Sequence, residues 1–288
     1  MKAGRRLAVE RMVELGRVSR ASFYRFEEST HPSHADMDLR DAIQRIALEW
    51  PSYGRPRITA ELRRRGWKVN PKRVYRILRE DNLLCIRKRK FVVTTDSNHG
   101  RKVYPNLART MMLTGMDQLW VADITYIRLR EEFVFLAVIL DAFSRRVIGW
   151  ALDRTLEDRL TLAALKMALP RRSVQSGLVH HSDRGSQYAS GDYTDLLKEN
   201  GIGVSMSRKG NPWDNAACES FMKTLKYEEI FRSEYRDLKE AHLSIREFLE
   251  KIYNEKRLHS ALGYVPPVEF EAHLAAQQKE AATRRLSA

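Results

Sequence analysis

Three acidic residues stand where their carboxylates could act together. Asp123 lies inside the apolar run WVADITYI, Asp183 ends the short run LVHHSD, and Glu219 follows KGNPWDN at the start of a helical pattern. An acid inside a buried strand is costly unless a partner or a metal ion compensates it. Asp183 and Glu219 are separated by 35 residues. A single Asp or Glu is most often solvated surface, and that alternative stays open for each acid on its own.

Carboxylate oxygens are the ligands that hard divalent cations prefer. Mg²⁺ takes octahedral oxygen geometry, usually from a few carboxylates together with water and phosphate oxygens. Three carboxylates can hold two ions roughly 3.5 to 4 Å apart. One ion would activate a water or a 3′-hydroxyl, and the other would stabilise the leaving 3′-oxygen. The residues thus indicate a magnesium site for phosphodiester chemistry.

Other catalytic chemistries are disfavoured by the residues nearby. His180 and His181 invite a zinc site, but adjacent strand residues face opposite ways, so at most one ring can point toward the acids. Cys85 and Cys218 form no CxxC pair, and we expect both to pack in the fold. No serine belongs to a recognisable Ser/His/Asp motif, which disfavours a serine nucleophile.

Alternating strand and helix patterns after about residue 115 predict the scaffold for these acids. The strand runs are 118–129, 133–144, 145–153, 178–183 and 202–207. The first three are joined by short turns, which is typical of an antiparallel meander. Helical patterns at 156–169, 188–201 and from 216 onward separate or follow the later strands. This order predicts the class α/β, with a mixed five-stranded sheet flanked by helices.

A helix, a Gly16 break and a second helix are predicted within residues 1–30. Ser19 is a candidate N-cap of the second helix. If the pair is a DNA-binding helix-turn-helix, Arg20 and Arg25 on that second helix are suited to phosphate or base contact. An ordinary helical hairpin is the equally weighted alternative.

Residues 36–84 predict a second all-helical module that resembles a helix-turn-helix. Asn70 is expected to cap its last helix, with Pro71 at the first helical position. Arg73, Arg76 and Arg79 recur at helical spacing along that helix, as a phosphate-contacting face requires. Residues 85–112, basic and rich in turns, are predicted to form a linker, either lying on nucleic acid or simply flexible.

The net charge of +14 is confined to one part of the chain. Residues 1–110 hold 26 Lys and Arg against 12 Asp and Glu, whereas residues 111–288 hold 25 of each. A segregated basic part favours DNA or RNA as the partner over a merely soluble basic surface. The longest apolar runs, such as 133–140, are too short to cross a bilayer, and the N-terminus lacks a signal-peptide core. We therefore expect a cytoplasmic protein without a membrane partner.

Four motifs together resemble the signature blocks of a known family. They are VADITYI, HSDRGSQYAS, SRKGNPWDNAACESFMKTLKYE and YNEKRLHSALGYVPPVEF. Their content and order resemble the OrfB-type transposases of bacterial insertion sequences, which belong to the retroviral integrase superfamily with its DD(35)E triad. The resemblance covers nearly the whole chain, to about residue 272. By position, the family's catalytic and metal-binding acids fall on Asp123, Asp183 and Glu219.

The resemblance implies an RNase H-like core over residues 113–272, followed by a tail at 273–288. It implies dependence on Mg²⁺ or Mn²⁺, and nicking and joining of DNA at the terminal inverted repeats of a mobile element and in target DNA. A homo-oligomer, an upstream-frame OrfA protein and a circular intermediate are further implications. The chain departs from the family pattern at Val265-Pro266-Pro267, where a Thr-Pro is expected.

Residues around the acids are predicted to contact DNA. Lys223 and Lys226 follow Glu219 at i+4 and i+7 and would hold phosphates, with ordinary surface charge as the alternative. Arg184, directly after Asp183, and Asn215, in the loop before the helix, join the predicted DNA-binding set.

Two further residues stay undecided between DNA contact and packing. Trp213 is as well suited to the core as to stacking on a base. His259 could contact DNA or lie buried. Two rival functions also remain open: an RNase H-like nuclease that joins no strands, and a DNA-binding regulator with a silent triad.

Overall fold

The computed structural model describes residues 9–27, 34–85, 102–208 and 215–286. The chain divides into two compact units, Met1–Ile86 and Arg87–Ala288, which are described separately below. Nowhere in these four ranges is a helix long and apolar enough to cross a membrane.

The first unit is all helical over its described residues. Its helices are α1 Val9–Gly16, α2 Arg20–Glu27, α3 His34–Glu49, α4 Arg55–Arg64 and α5 Pro71–Glu80. Ser19 caps α2 as predicted, because the Ser22 amide donates to Ser19 Oγ at 3.1 Å.

Helices α3, α4 and α5 occupy residues 36–84, where the sequence predicts the second helical module. Asn70 Oδ1 accepts a 2.9 Å hydrogen bond from the Lys72 amide, and Pro71 begins α5, where a backbone N–H would have no acceptor within the helix. Ile58 and Leu62 on α4 are fully buried. They share a core with residues of α3 and α5: Leu39, Ile43, Ile46, Val74, Ile77 and Leu78. The predicted helical module is confirmed.

The second unit is built on one five-stranded sheet. Its strands are β1 Leu119–Arg128, β2 Phe133–Asp141, β3 Val147–Asp153, β4 Val179–Ser182 and β5 Gly203–Met206. The spatial order is β3-β2-β1-β4-β5. β1, β2 and β3 are antiparallel neighbours, whereas β4 runs parallel to β1 and to β5. The predicted meander and mixed sheet are confirmed.

Helices cover both faces of the sheet. They are α6 Asp158–Ala168, α7 Gly191–Glu199, α8 Ala216–Glu228, α9 Leu238–Arg246 and α10 Pro267–Leu286. Because strand side chains alternate, Trp120 and Ala122 pack toward α6 and α7, whereas Val121 and Ile127 pack toward α8 and α9. Asp123 follows this alternation and shares the α8 face.

Gly149 on β3 lets helix α6 approach the sheet closely. A Cβ atom at this position would lie 2.3 Å from the Ala164 carbonyl oxygen and 2.9 Å from the Ala168 Cβ. The contact is therefore possible only for glycine, which fixes α6 against the edge of the meander.

The last motif of the resemblance fastens the C-terminal helices to the sheet. α9 continues into a π-helical segment, Glu247–Lys256, whose Asn254 side chain bonds both the amide and the carbonyl of Val147 at 2.9 Å. Arg257 is buried and makes a bidentate pair with Glu228 of α8, with both distances at 2.7 Å. Asn254 and Arg257 of this motif therefore hold the C-terminal helices to β3 and α8.

Helix α10 is held to the sheet by a buried cluster of charges. Arg172 donates to Asp117 at 2.8 Å and to both oxygens of Glu271 at 2.8 and 2.9 Å. Asp141, which is fully buried, accepts amide hydrogens from Asp117 and Ser144 at 2.7 Å each. α10 runs through residue 272, where the sequence analysis ended the core, so 267–286 is one continuous helix.

Candidate active site

Asp123 lies on the central strand β1 and is half-buried. Its Oδ1 accepts a hydrogen bond from the Ile124 amide at 2.8 Å. Burial, with the Asp183 carboxylate as the next cause, raises the pKa of Asp123 to about 7. An acid with this environment is half protonated near neutral pH unless a cation offsets its charge.

Asp183 comes directly after β4 and faces the same end of the sheet as Asp123. β1 and β4 are parallel, and Val121 pairs with His181, so the register continued by two residues sets Asp123 beside Asp183. Neighbouring strands lie about 4.8 Å apart. The Gly185 amide donates to Asp183 Oδ1 at 2.9 Å. A Cβ at Gly185 would approach that oxygen to 3.0 Å, so glycine keeps this side of the carboxylate open.

Glu219 stands in the first turn of α8, which packs on the sheet face that carries Asp123. The neighbouring Cys218 is fully buried, as the sequence analysis expected. Burial raises the pKa of the Cys218 thiol, and the carboxylates of Asp123, Asp183 and Glu219 raise it further. All three carboxylates therefore lie within electrostatic range of one buried thiol.

Asn215 ties the start of α8 to β1. Its Nδ2 donates to the Ala122 carbonyl oxygen at 3.1 Å, one residue before Asp123 and one helical turn before Glu219. The side chain is more than nine-tenths buried. The prediction that Asn215 contacts DNA is not tested by this contact, but the position makes it a structural link between the two acid-bearing elements.

The three acids have the ligand chemistry of a divalent-cation site, but their side chains are not arranged around one ion position. Over the residues that the structure describes, no three His, Cys, Asp or Glu side chains are close enough to form a ready-made metal site. The donor set nevertheless fits Mg²⁺ or Mn²⁺, because it is all oxygen and its buried Asp123–Asp183 repulsion would be relieved by a cation.

The predicted phosphate-binding lysines of α8 differ in their surroundings. Lys223 is exposed, whereas Lys226 is half-buried and its ammonium lies 5.5 Å from the centre of the Tyr126 ring. Lys226 also acts to lower the pKa of Asp123, against the larger effects of burial and Asp183. Arg184 is half-buried, and its Nε donates to the Ser207 carbonyl at 2.8 Å.

The histidines beside Asp183 are buried and engaged. His180 Nε2 lies 3.0 Å from the Tyr193 hydroxyl, and burial lowers the pKa of His180 to about 3, so the ring is neutral. Both ring nitrogens of His181 contact serine hydroxyls, at 2.8 and 3.0 Å. His259 is buried and packs edge-on against Tyr253 at 4.7 Å. The zinc interpretation therefore gains no support.

In the first unit, two of the predicted phosphate-binding arginines pair with a buried acid. Arg73 and Arg76 both contact the carboxylate of Asp36, the latter at 2.6 Å. Arg79 is exposed on the same helix. The sequence offers no signal for this role of Asp36, because its partners lie 37 and 40 residues away.

Other predicted residues are placed as follows. Arg20 is exposed and lies 3.6 Å from Glu10. Cys85 is exposed, contrary to the expectation that it packs in the fold, and its thiol donates to the Ser52 carbonyl at 3.5 Å. The Arg25 side chain and Trp213 lie outside the described residues.

Three protein-family models match this chain, and together they cover most of its length. Models described as Integrase core domain match residues 114–212 and 200–267, and a model described as HTH-like domain matches residues 34–91. The 31 kDa protein of insertion element IS600 from Shigella sonnei, called uncharacterized, is 38% identical over 268 residues, 90% of this chain and 97% of its own length. The transposase InsF for insertion sequence IS3A from Escherichia coli K12 is 36% identical over 273 residues, 92% and 94% of the two chains.

Further similar proteins are a transposase and two solved integrase cores. The transposase for insertion sequence element IS904 from Lactococcus lactis is 37% identical over 222 residues, 77% of this chain and 88% of its own. The catalytic core domain of BIV integrase superposes with a TM-score of 0.41 at 19% identity, covering 57% of this chain and 99% of that one. The HTLV-2 integrase catalytic core in complex with magnesium gives 0.39 at 14% identity, covering 54% and 95%.

Proposed function

Because this chain belongs to the integrase-core transposases of bacterial insertion sequences, which are DDE polynucleotidyl transferases, we propose that it cuts and joins DNA at the ends of such an element. Water would attack to free a 3′-hydroxyl at the element end, and that hydroxyl would then attack a second phosphodiester. The observation that carries this proposal is the register of β1 and β4, which sets Asp123 beside Asp183, together with the position of Glu219 in the first turn of α8 on the sheet face of Asp123.

The three acids would act as the ligands of Mg²⁺ or Mn²⁺. Bound divalent ions supply activation of the attacking oxygen and stabilisation of the leaving 3′-oxygen. Asp123 and Asp183 are fixed by the parallel β1–β4 pairing, and Gly185 holds one oxygen of Asp183 through its amide. Glu219, in the first turn of the separate helix α8, would complete the set.

DNA would be held by cations on both units. Lys226 and Lys223 follow Glu219 along α8, where they are suited to phosphates beside the acids. The helical module of residues 34–85, with Arg79 exposed on α5, would recognise the terminal inverted repeats. Pairing two element ends would take at least two protomers, and an upstream-frame OrfA protein would be a further partner.

The test is a strand-cleavage and strand-transfer assay with duplexes carrying the ends of the element that encodes the chain. We expect Mg²⁺-dependent cleavage and joined products from the natural protein. Asp183→Asn should lose both by at least about a thousandfold while binding the same duplex with unchanged affinity, because its carboxylate holds ions rather than DNA. Asp195→Asn is the matched control, since Asp195 is an exposed acid of α7 paired with Lys198.

The rival functions predict different products from the same assay. Cleavage without joined product would identify a nuclease and overturn the transfer step. Sequence-specific binding with no cleavage in either metal would identify a silent regulator. Full activity of Asp183→Asn would refute the assignment of the acids.

A further inference from the structure

Two exposed aromatic side chains lie on the β1–β2 hairpin, on the sheet face opposite to Asp123. Tyr126 is 39% exposed and Phe133 is 53% exposed, although the strands that carry them are otherwise largely buried. Their rings meet edge to face, with centroids 5.8 Å apart and planes at 75°. We call Tyr126 and Phe133 the aromatic platform.

The aromatic platform is connected to the acids through the edge of β1 and through Lys226. Tyr126 is three residues after Asp123 on β1, about 10 Å along the strand, and its side chain leaves the opposite face of the sheet. β4 pairs with β1 only at Leu119–Val121, so among the described strands the β4 side of β1 is open from Asp123 to Tyr126. A DNA strand that crosses this open edge from one face to the other would pass from the platform to the acids.

Cations frame the aromatic platform. Lys226 of α8 lies over the Tyr126 ring at 5.5 Å, and it is close enough to Asp123 to act on that carboxylate. Arg128 is exposed on the same strand face as Tyr126 and pairs in register with Phe133. Glu132, the acid directly before Phe133, is already paired with Arg154 at 3.0 Å. The surface around the rings is therefore suited to a polyanion.

We propose that the aromatic platform binds an unpaired nucleotide of a DNA strand, with a base stacked on Tyr126 and the adjoining phosphate held by Lys226 and Arg128. Stacking on an exposed ring tolerates any base, and a cation beside the ring binds the backbone. The inference rests on the proposed function, because strand cutting at the acids requires a DNA strand to lie there. The aromatic platform would be a binding site for bases that have left the duplex near the phosphodiester that is cleaved.

Binding of two probes by the full-length protein in EDTA tests the platform apart from catalysis. One probe is an oligothymidylate of about 20 nucleotides, and the other is an abasic strand with the same number of phosphates. The natural protein should bind the oligothymidylate more tightly. Tyr126→Leu should weaken oligothymidylate binding about tenfold and leave the abasic strand unchanged, whereas Tyr126→Phe should keep the preference because it keeps the ring. Lys226→Gln should weaken both probes to a similar degree.

Two controls localise the effect. Phe231→Leu removes an exposed ring from a similar edge-to-face pair with Tyr227, at 5.7 Å, and should change neither affinity. An oligothymidylate carrying 5-iodouracil should cross-link to Tyr126 or Phe133 on irradiation. Thermal melting checks that each variant is folded.

Two results would overturn the platform. One is a folded Tyr126→Leu protein that keeps the full preference for oligothymidylate. The other is equal binding of the two probes by the natural protein, which would assign the exposed rings to another class of partner. Neither depends on turnover, so a natural protein that shows the preference but never cleaves DNA would refute the proposed function and leave the platform standing.

Discussion

At the scale of single residues, the ionised carboxylate of Asp123 lowers the stability of the folded protein unless a cation compensates its charge. Its folded-state pKa, about 7, lies above that of an unfolded aspartate, near 3.9. The folded protein therefore binds this proton more tightly than the unfolded chain does. Its contribution to the free energy of unfolding falls as the pH rises from about 4 to about 7 and is constant above that.

We predict that Asp123→Asn raises the stability of the metal-free protein at pH 8 by on the order of 4 kcal/mol, while abolishing DNA cleavage. The gain should be nearly lost at pH 4, where the carboxyl of the folded protein is protonated and that of the unfolded chain is about half protonated. Chemical denaturation at the two pH values measures it. Mg²⁺ should raise the melting temperature of the natural protein at pH 8 and leave that of Asp123→Asn unchanged. A variant less stable than the natural protein at pH 8 would contradict this account.

The sequence singles out the acids as candidates, but it does not indicate the partners of the neighbouring charged residues. Asp123 stands out because an acid interrupts an apolar strand run, and Asp183 because it ends one. The pairing of Arg73 and Arg76 with Asp36 was missed, since it depends on how α3 packs against α5. His180 and His181 were discounted as metal ligands on strand alternation, and in the structure their rings contact a tyrosine and two serine hydroxyls.

At the scale of elements, α8 is positioned on β1 through Asn215. Replacing Asn215 by Ala removes the hydrogen bond to the Ala122 carbonyl and frees the turn that carries Glu219. We predict a loss of about 1 to 2 kcal/mol in stability, and a rise in the Mg²⁺ concentration needed for half-maximal cleavage. DNA affinity without metal should stay unchanged.

Asn215→Asp is the matched variant, because it keeps the side-chain shape but loses the donor. It should behave like the Ala variant in the Mg²⁺ titration. If instead the Ala variant lost DNA affinity with its Mg²⁺ dependence intact, Asn215 would be a DNA contact, as the sequence analysis predicted, and the link between α8 and β1 would be of minor importance.

Periodicity predicted most elements, because their apolar patterns are local. The five strands and the capped helix α5 lie where the patterns place them. The change from α9 to a π-helical segment at Glu247 was not predictable, since its apolar pattern also suits an ordinary helix. Its contacts, such as Asn254 with Val147, join residues 107 positions apart.

At the scale of the whole molecule, charge and chemistry are divided between different parts of the chain. The excess of 14 positive charges lies within residues 1–110, whereas the acids lie in a region with equal numbers of both signs. Non-specific DNA binding should therefore depend on the first part, and cleavage on the second.

We predict that Arg79→Ala reduces the slope of log affinity against log salt by about 0.9, as expected for one lost phosphate contact. Arg246→Ala is the control, because Arg246 is equally exposed but belongs to the neutral region and pairs with Glu250. Fluorescence anisotropy with a non-specific duplex over a range of NaCl concentrations measures both slopes. Equal slopes for the natural protein and Arg79→Ala would exclude Arg79 from the DNA contact.

The alternation of side chains along β1 limits how the gene can change. Trp120 packs under α6 and α7, whereas Asp123 faces α8. Deletion of one codon between them would move the Asp123 side chain to the apolar face that Trp120 occupies, and it would move the neighbouring apolar side chains to the opposite face. Single substitutions in this part of β1 change one side chain each, whereas an insertion or deletion of one residue reverses the facing of every side chain after it. Length variation among descendants of this gene should accumulate in the exposed hairpin turn at 130–132, where no alternation between the two faces has to be preserved.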